Sequence, residues 1–186
     1  MTASRRQFLA LLTSALASPA LAEESASRPT AYAFSFRGLA GGDIALSAYA
    51  GKPILVVNVA SLCGYTPQYT GLQDLWTRYR GRGLTVLGVP SNDFFQEPGA
   101  AADIEATAHQ YKVDFPLTEK ASVKGAGAHP FYRWAALEKP LDPPRWNFHK
   151  YLVGDDGHIA AAFGTSVEPL DARVIAAIEK EIGKAA

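Results

Sequence analysis

Ile54-Leu55-Val56-Val57-Asn58-Val59-Ala60-Ser61-Leu62-Cys63-Gly64 is the stretch on which the fold turns. Its aliphatic residues, Ile54 to Val57 and Val59, follow Gly51-Lys52-Pro53 and predict a strand buried on both faces. The run breaks at Ser61, and Cys63 follows, the only cysteine in 186 residues. From Pro67 to Arg80, Tyr69, Leu72, Leu75, Trp76 and Tyr79 recur at helical spacing. The sole thiol is therefore expected in the turn between a buried strand and the start of a helix. A thiolate, not a thiol, is the nucleophile, and a free cysteine with a pKa of about 8.5 is mostly protonated at neutral pH. The unpaired N–H groups of a helix N-terminus favour the anion. The competing reading is a small, buried, inert hydrophobe.

A chain with 48% hydrophobic residues can bury one full core, so one domain is expected. The formal charge is zero and the pI is near 6.9, which leaves no electrostatic footprint for nucleic acid. A single cysteine excludes an intrachain disulfide and any CxxC redox or zinc motif. Ser4-Arg5-Arg6-Gln7-Phe8-Leu9 is a twin-arginine pattern, Phe8 to Ala17 is a short apolar core, and Ala20-Leu21-Ala22 is a small-residue cleavage site. That core is about half of the ~20 residues a membrane span needs, so no stable membrane anchor is expected. The predicted organisation is a signal peptide over 1–22, a flexible lead over 23–31 and one domain over 32–186. The mature chain, with 16 basic and 18 acidic residues, would reside in the bacterial periplasm.

Further along, Tyr32 to Arg37 and Ile44 to Leu46 flank a glycine-rich turn and predict a β-hairpin. Gly81-Arg82-Gly83 ends the first helix, and Leu84 to Val89 is a second buried strand, parallel to the first across a right-handed βαβ unit. The loop Ser91 to Gly99 leaves that strand at its carboxyl end, the edge on which Cys63 lies. A helix is predicted over Ala101 to Tyr111, an extended piece over Asp114 to Glu119, and a helix from Phe131 to Leu137 opened by His129-Pro130. Phe148 to Val153 and His158 to Phe163 form a hairpin around Gly154-Asp155-Asp156-Gly157. A last helix, Leu170 to Ile182, aligns Leu170, Val174, Ile178 and Ile182. This order is that of an α/β, thioredoxin-like fold: a central mixed sheet flanked by helices, with an added N-terminal hairpin and an inserted helix.

Four separated motifs now identify a family. N-V-A-S-x-C-G at Asn58 to Gly64, the N-D-F and Q-E-P-G pieces within Asn92 to Gly99, H-P-F-Y-R-W at His129 to Trp134, and W-N-F-x-K-Y-L-V at Trp146 to Val153 together resemble the glutathione peroxidase family. The resemblance covers Phe34 to Ile182. It implies that Cys63 is the peroxidatic residue and that Gln96, Trp146 and Asn147 complete a catalytic tetrad. Their amides and indole offer N–H donors that cannot take the proton, a set suited to steadying a sulfur anion and the oxygen of a breaking O–O bond. The implied reaction reduces hydrogen peroxide or organic and lipid hydroperoxides through a Cys63 sulfenic acid, with glutathione, another small thiol or a thioredoxin-like protein as reductant. No metal and no bound cofactor is implied. Without the motifs, Trp146 would be a core aromatic, and Gln96 and Asn147 would be loop residues capping backbone. His109, His129, His149 and His158 show no metal-ligand spacing and read as surface or local hydrogen-bonding residues. Trp76 and Trp134 read as packing residues and Lys150 as an exposed base.

The chain departs from the family pattern in three places. The usual N-x-F-G-x-Q-E-P loop is here one residue shorter and lacks its glycine, which bears on the placement of Gln96 and would allow Asn92 or Asp93 nearer the sulfur than the family pattern has them. Ala106-Thr107-Ala108 stands where thioredoxin-dependent relatives carry a resolving cysteine, so no intramolecular disulfide can form. The segment from Trp134 to Trp146 is short, as in members without the assembly loop of tetramers, and implies a monomer with an open site. Other readings are a peroxide sensor or relay that forms a mixed disulfide with a partner protein, and an inert binding module. A peroxiredoxin is disfavoured because the threonine expected three residues before its cysteine is Ala60. A disulfide oxidoreductase is excluded because Cys63-Gly64-Tyr65-Thr66 has no second cysteine.

Overall fold

The computed structural model describes residues 28–184, so the signal-peptide and cleavage-site expectations lie outside the described residues. The central sheet has four strands in the order β4-β3-β5-β6: β3 is Ile54–Val59, β4 Thr85–Pro90, β5 Lys150–Val153 and β6 Ile159–Phe163. β3 and β4 run parallel with Ile54 opposite Thr85 and Val59 opposite Pro90, whereas β5 lies antiparallel to both β3 and β6. The parallel pair needs a crossover, and the helix α1, Gln68–Tyr79, supplies it. A separate antiparallel hairpin, β1 Ser35–Arg37 and β2 Asp43–Ala45, precedes the sheet.

Every residue of β3 and β4 is buried, because alternate side chains face two cores. Ile54, Val56, Leu87, Val89, Tyr151 and Val153 face one core with Phe36 and the helix α3, Pro130–Glu138. Leu55, Val57, Val59, Val86 and Leu152 face the other, which holds Cys63, Tyr69, Leu72, Leu75 and Tyr79 beside the helix α4, Ala172–Lys184. Each such aliphatic side chain stabilises the fold by about 1.5–3 kcal/mol on burial, so β3 is the strand around which both layers assemble. The remaining helix, α2, covers Ala101–Gln110.

The stretch Asp114 to Glu119 is extended and lies along the outer edge of β4. Gly88 N–H donates to Pro116 O and Thr118 N–H to Gly88 O, both at 3.0 Å. A methyl group at Gly88 would lie 2.5 Å from Leu117 Cδ2 and 3.2 Å from Phe115 Cε2. Gly88→Ala is accordingly expected to destabilise the protein by about 1–3 kcal/mol through overpacking, measured as a lower urea midpoint with unchanged slope.

Two boundaries differ from expectation. Trp134 Nε1 donates to Pro29 O at 2.7 Å, Ala31 N–H donates to Gly157 O at 2.8 Å, and Ala31 is buried. The packed chain thus begins at Pro29, inside the stretch assigned to a flexible lead. At the other end, Asp171 caps α4 by accepting from Arg173 N–H at 2.9 Å, so the helix starts at Ala172. Leu170 precedes the cap and is exposed, and the buried residues of the helix are Val174, Ile178, Ile182 and Glu181, the last paired with Lys184.

Candidate active site

Cys63 is buried in the lead-in to α1, among Val59, Ala60, Tyr69 and Phe148. α1 itself starts five residues later, after a series of tight turns: Thr66 N–H donates to Cys63 O, Gln68 N–H to Tyr65 O and Tyr69 N–H to Thr66 O. Thr66 Oγ1 accepts from Cys63 N–H at 3.1 Å and donates to Ala60 O at 2.8 Å, which ties the turn to the end of β3. The Cys63 sulfur accepts from Tyr65 N–H at 3.4 Å. The donor facing the sulfur therefore belongs to the lead-in turn rather than to the first turn of α1. Behind it, Glu97 Oε2 accepts from Ser61 N–H at 2.8 Å and from Ser61 Oγ at 2.9 Å. Burial pushes the Glu97 carboxyl above its ordinary value, while the two Ser61 bonds pull it down.

Gln96 reaches this turn from the loop after β4. Leu62 N–H donates to Gln96 O at 3.0 Å, one residue from the thiol. The shortened loop spans its gap by placing Phe95 in the left-handed region, at φ 60°, with the side chain 88% exposed. Such backbone costs about 1–3 kcal/mol in a residue with a side chain, and here it stands where the family pattern has glycine. Asn92 and Asp93 are committed elsewhere. Asn92 Oδ1 accepts from Glu97 N–H at 3.0 Å, and Asp93 Oδ2 accepts from Val123 N–H at 2.6 Å and Lys124 N–H at 3.0 Å.

Trp146 and Asn147 come from the opposite side, on the segment entering β5. Asn147 Nδ2 donates to Gln96 Oε1 at 2.9 Å, so the two amides meet. Asn58, inside β3, holds the segment down: its Nδ2 donates to Trp146 O at 3.1 Å, its Oδ1 accepts from His149 N–H at 3.0 Å, and its carbonyl accepts from Phe148 N–H at 2.6 Å. Phe148 is the second left-handed residue of the site, also at φ 60°, and it is fully buried. Trp146 is 41% exposed and tilts against Phe94 with ring centroids 5.5 Å apart.

Of the four expected residues, Gln96 joins the Cys63 turn through its backbone carbonyl, Asn147 joins Gln96 through its side chain, and Trp146 packs on Phe94. Gln96 and Asn147 bond to each other, and among the described residues the polar contact to the sulfur is Tyr65 N–H. Leu62 and Tyr65, on either side of Cys63 in the chain, and Phe95 and Trp146, next to Gln96 and Asn147, are exposed apolar residues that form the rim of the site. Among the described residues there is no group of three His, Cys, Asp or Glu placed to hold a metal.

Two residues were misread from the sequence. Lys150 is fully buried rather than exposed, because both faces of β5 are covered; its Nζ donates to Gln68 Oε1 and Phe148 O, each at 2.7 Å. His149 is buried too, its ring against Tyr151, and burial beside the Lys150 charge lowers it to about 4, so it is neutral at physiological pH. Asn58, Thr66 and Glu97 had been given no role. For Asn58 a signal existed: a lone amide inside an aliphatic strand must find partners for its donors and acceptor.

A model of the glutathione peroxidase family matches residues 31–136. The chain is 41% identical over 162 residues to a hydroperoxy fatty acid reductase of Synechocystis, a match covering 81% of this chain and 95% of that protein. It is 40% identical over 142 residues to a glutathione peroxidase homolog of Halalkalibacterium halodurans, covering 74% and 90%. Among solved structures, Trgpx in its apo form superposes with a TM-score of 0.69 at 32% identity, covering 84% of this chain and 97% of that one.

Proposed function

Because the chain belongs to the glutathione peroxidase family, and is therefore a peroxidase of the thiol-dependent kind, we propose a one-cysteine cycle carried by Cys63, Gln96, Trp146 and Asn147. The observation that supports it is the Asn147 Nδ2 to Gln96 Oε1 bond beside the Leu62 N–H to Gln96 O bond, which together tie the backbone of Gln96 to the Cys63 turn and its side chain to Asn147. The Cys63 thiolate attacks one peroxide oxygen; the S–O bond forms as the O–O bond breaks, and the departing alkoxide or hydroxide takes up a proton to leave as alcohol or water. Sulfur is oxidised by two electrons and becomes a sulfenic acid. A thiol condenses with it, releasing water and leaving a mixed disulfide. A second thiol then attacks that disulfide, freeing Cys63 and carrying away the oxidised reductant. Both thiols come from outside, since the chain has no other cysteine.

With its Oε1 engaged by Asn147, Gln96 retains Nε2–H donors for the oxygen that gains charge as the peroxide bond breaks. The rim of Leu62, Tyr65, Phe95 and Trp146 presents apolar surface to the chain of an organic hydroperoxide, in keeping with the fatty-acid hydroperoxide named for the Synechocystis relative. The reductant is glutathione, another small thiol or a thioredoxin-like protein.

Gln96→Ala tests the assignment. The second-order rate constant for oxidation of Cys63 is expected to fall by about 10²-fold, the usual cost of one preorganised donor, with the fold retained by circular dichroism. An unchanged rate constant would remove Gln96 from the site. Turnover with small thiols supports the cycle, whereas capture of one protein partner through Cys63 without turnover would favour the relay.

A further inference from the structure

Lys150 occupies a place in β5 where a methionine or leucine would fill the same space without the penalty of burying a charge. What only a lysine supplies there is an ammonium bonded to two acceptors in fixed directions. One is Phe148 O, the carbonyl of the left-handed residue that follows Asn147; the N–H of that residue is held by Asn58 O, so this strained turn is gripped on both sides. The other is Gln68 Oε1, on the first residue of α1. That bond orients the Gln68 amide so that its Nε2 donates to Thr165 O at 2.8 Å, and Thr165 Oγ1 donates to Asn147 O at 2.8 Å. Asn147 Nδ2 ends the chain on Gln96. Two hydrogen-bonded routes, one through Phe148 and one through Gln68 and Thr165, therefore run from a single buried amine to the paired amides of the site.

We propose that Lys150 is a positioning residue for the peroxidase reaction, its ammonium locking the Phe148 turn so that Asn147 and Gln96 stay paired beside Cys63. The inference rests on the tetrad reading above. It carries a pH dependence, because burial drives the Lys150 amine down to about 8. The groups facing it are few. Glu168, which accepts from Gln68 Nε2 at 3.3 Å, favours the ammonium. His149, next on the strand, is neutral in this range, and Cys63 lies on the turn leading to Gln68. Below about 8 the ammonium grips both acceptors through charge-assisted bonds; above it a neutral amine grips them less strongly. The rate of Cys63 oxidation per thiolate should therefore decline as pH rises through about 8. Stability moves the opposite way. The amine titrates lower in the folded chain than its ordinary 10.5, so between about 8 and 10.5 the unfolded chain binds more protons, and this group's contribution to stability rises with pH. The titration of Lys150 therefore does not lower stability where it lowers the rate.

The test is the pH profile of Cys63 oxidation by hydrogen peroxide, followed by rapid-mixing fluorescence in the full chain and divided by the thiolate fraction read from ultraviolet absorbance at each pH, for the native protein, Lys150→Arg and Lys150→Met. The native profile of rate per thiolate is expected to show an alkaline limb near pH 8 with a decline of about fivefold, the difference between a charged and a neutral hydrogen bond. Lys150→Arg, charged at every pH, should lack the limb. Lys150→Met should be slow throughout by a similar factor. A native rate per thiolate that stays level or rises across the alkaline range overturns the proposal, even if neither variant folds. No oxidation of Cys63 at any pH overturns the peroxidase reading and this proposal with it; oxidation without the limb overturns this proposal alone.

Discussion

Cys63→Ser is expected to abolish hydroperoxide reduction, lowering turnover by at least about 10⁴-fold, while leaving the fold intact. The loss follows from chemistry rather than shape. A serine hydroxyl is a far weaker acid than a thiol and stays protonated, and an oxygen cannot cycle through a sulfenic acid. No other thiol in the chain can substitute. Stability should change by less than about 1.5 kcal/mol, since the swap nearly conserves volume and the turn is held by Thr66 Oγ1 and Ala60 O rather than by the sulfur. Steady-state turnover and urea unfolding measure the two effects separately. Residual turnover above a hundredth of the native value would place the peroxidatic chemistry elsewhere.

Asn58→Ala is expected to cause the largest combined loss of stability and activity for a residue that does not touch the sulfur. Its amide serves Trp146 O and the buried His149 N–H, and an alanine would leave both without their partner. At about 1–3 kcal/mol for each stranded group, the fold should lose about 3–5 kcal/mol, seen as a lower urea midpoint. The segment thus loosened carries Trp146, Asn147 and the left-handed Phe148. Below the unfolding midpoint, Cys63 oxidation should therefore slow by about 10²-fold, as if the Asn147–Gln96 donor pair had been removed. A midpoint within about 1 kcal/mol of native would show that water replaces the amide without strain, and that the segment is fixed by the backbone pairing of Phe148 alone.

Which parts of this were legible in the sequence follows from where the determining interactions lie. The aliphatic run Ile54 to Val59 and its partner Leu84 to Val89 encode burial on both faces locally, so the parallel pair and its crossover helix could be read directly. The Gly154 to Gly157 turn likewise announced the β5–β6 hairpin. Cys63 is conspicuous in the sequence by being alone, and Gln96, Trp146 and Asn147 are singled out by the family motifs. Lys150 was not legible, because a lysine in a strand is ordinarily exposed and its two acceptors come from Phe148 and from Gln68, 82 residues away. His149 was missed for the same reason, since alternation along β5 gives no hint that both faces are covered. The left-handed Phe95 and Phe148 left no trace either: their backbone is imposed by the lengths and anchors of the segments they join, not by their own preferences. Asn58 lies between these cases, visible as an anomaly in an apolar run but silent about its partners.

The central claim is that one thiol takes oxygen from a hydroperoxide and is restored by thiols from outside. Intact mass after one equivalent of an organic hydroperoxide, followed by glutathione, tests it most directly. The predicted result is gain of one oxygen on Cys63, then a glutathione adduct that clears with excess thiol, with nothing gained by Cys63→Ser. A mass unchanged by hydroperoxide in the folded protein would contradict it.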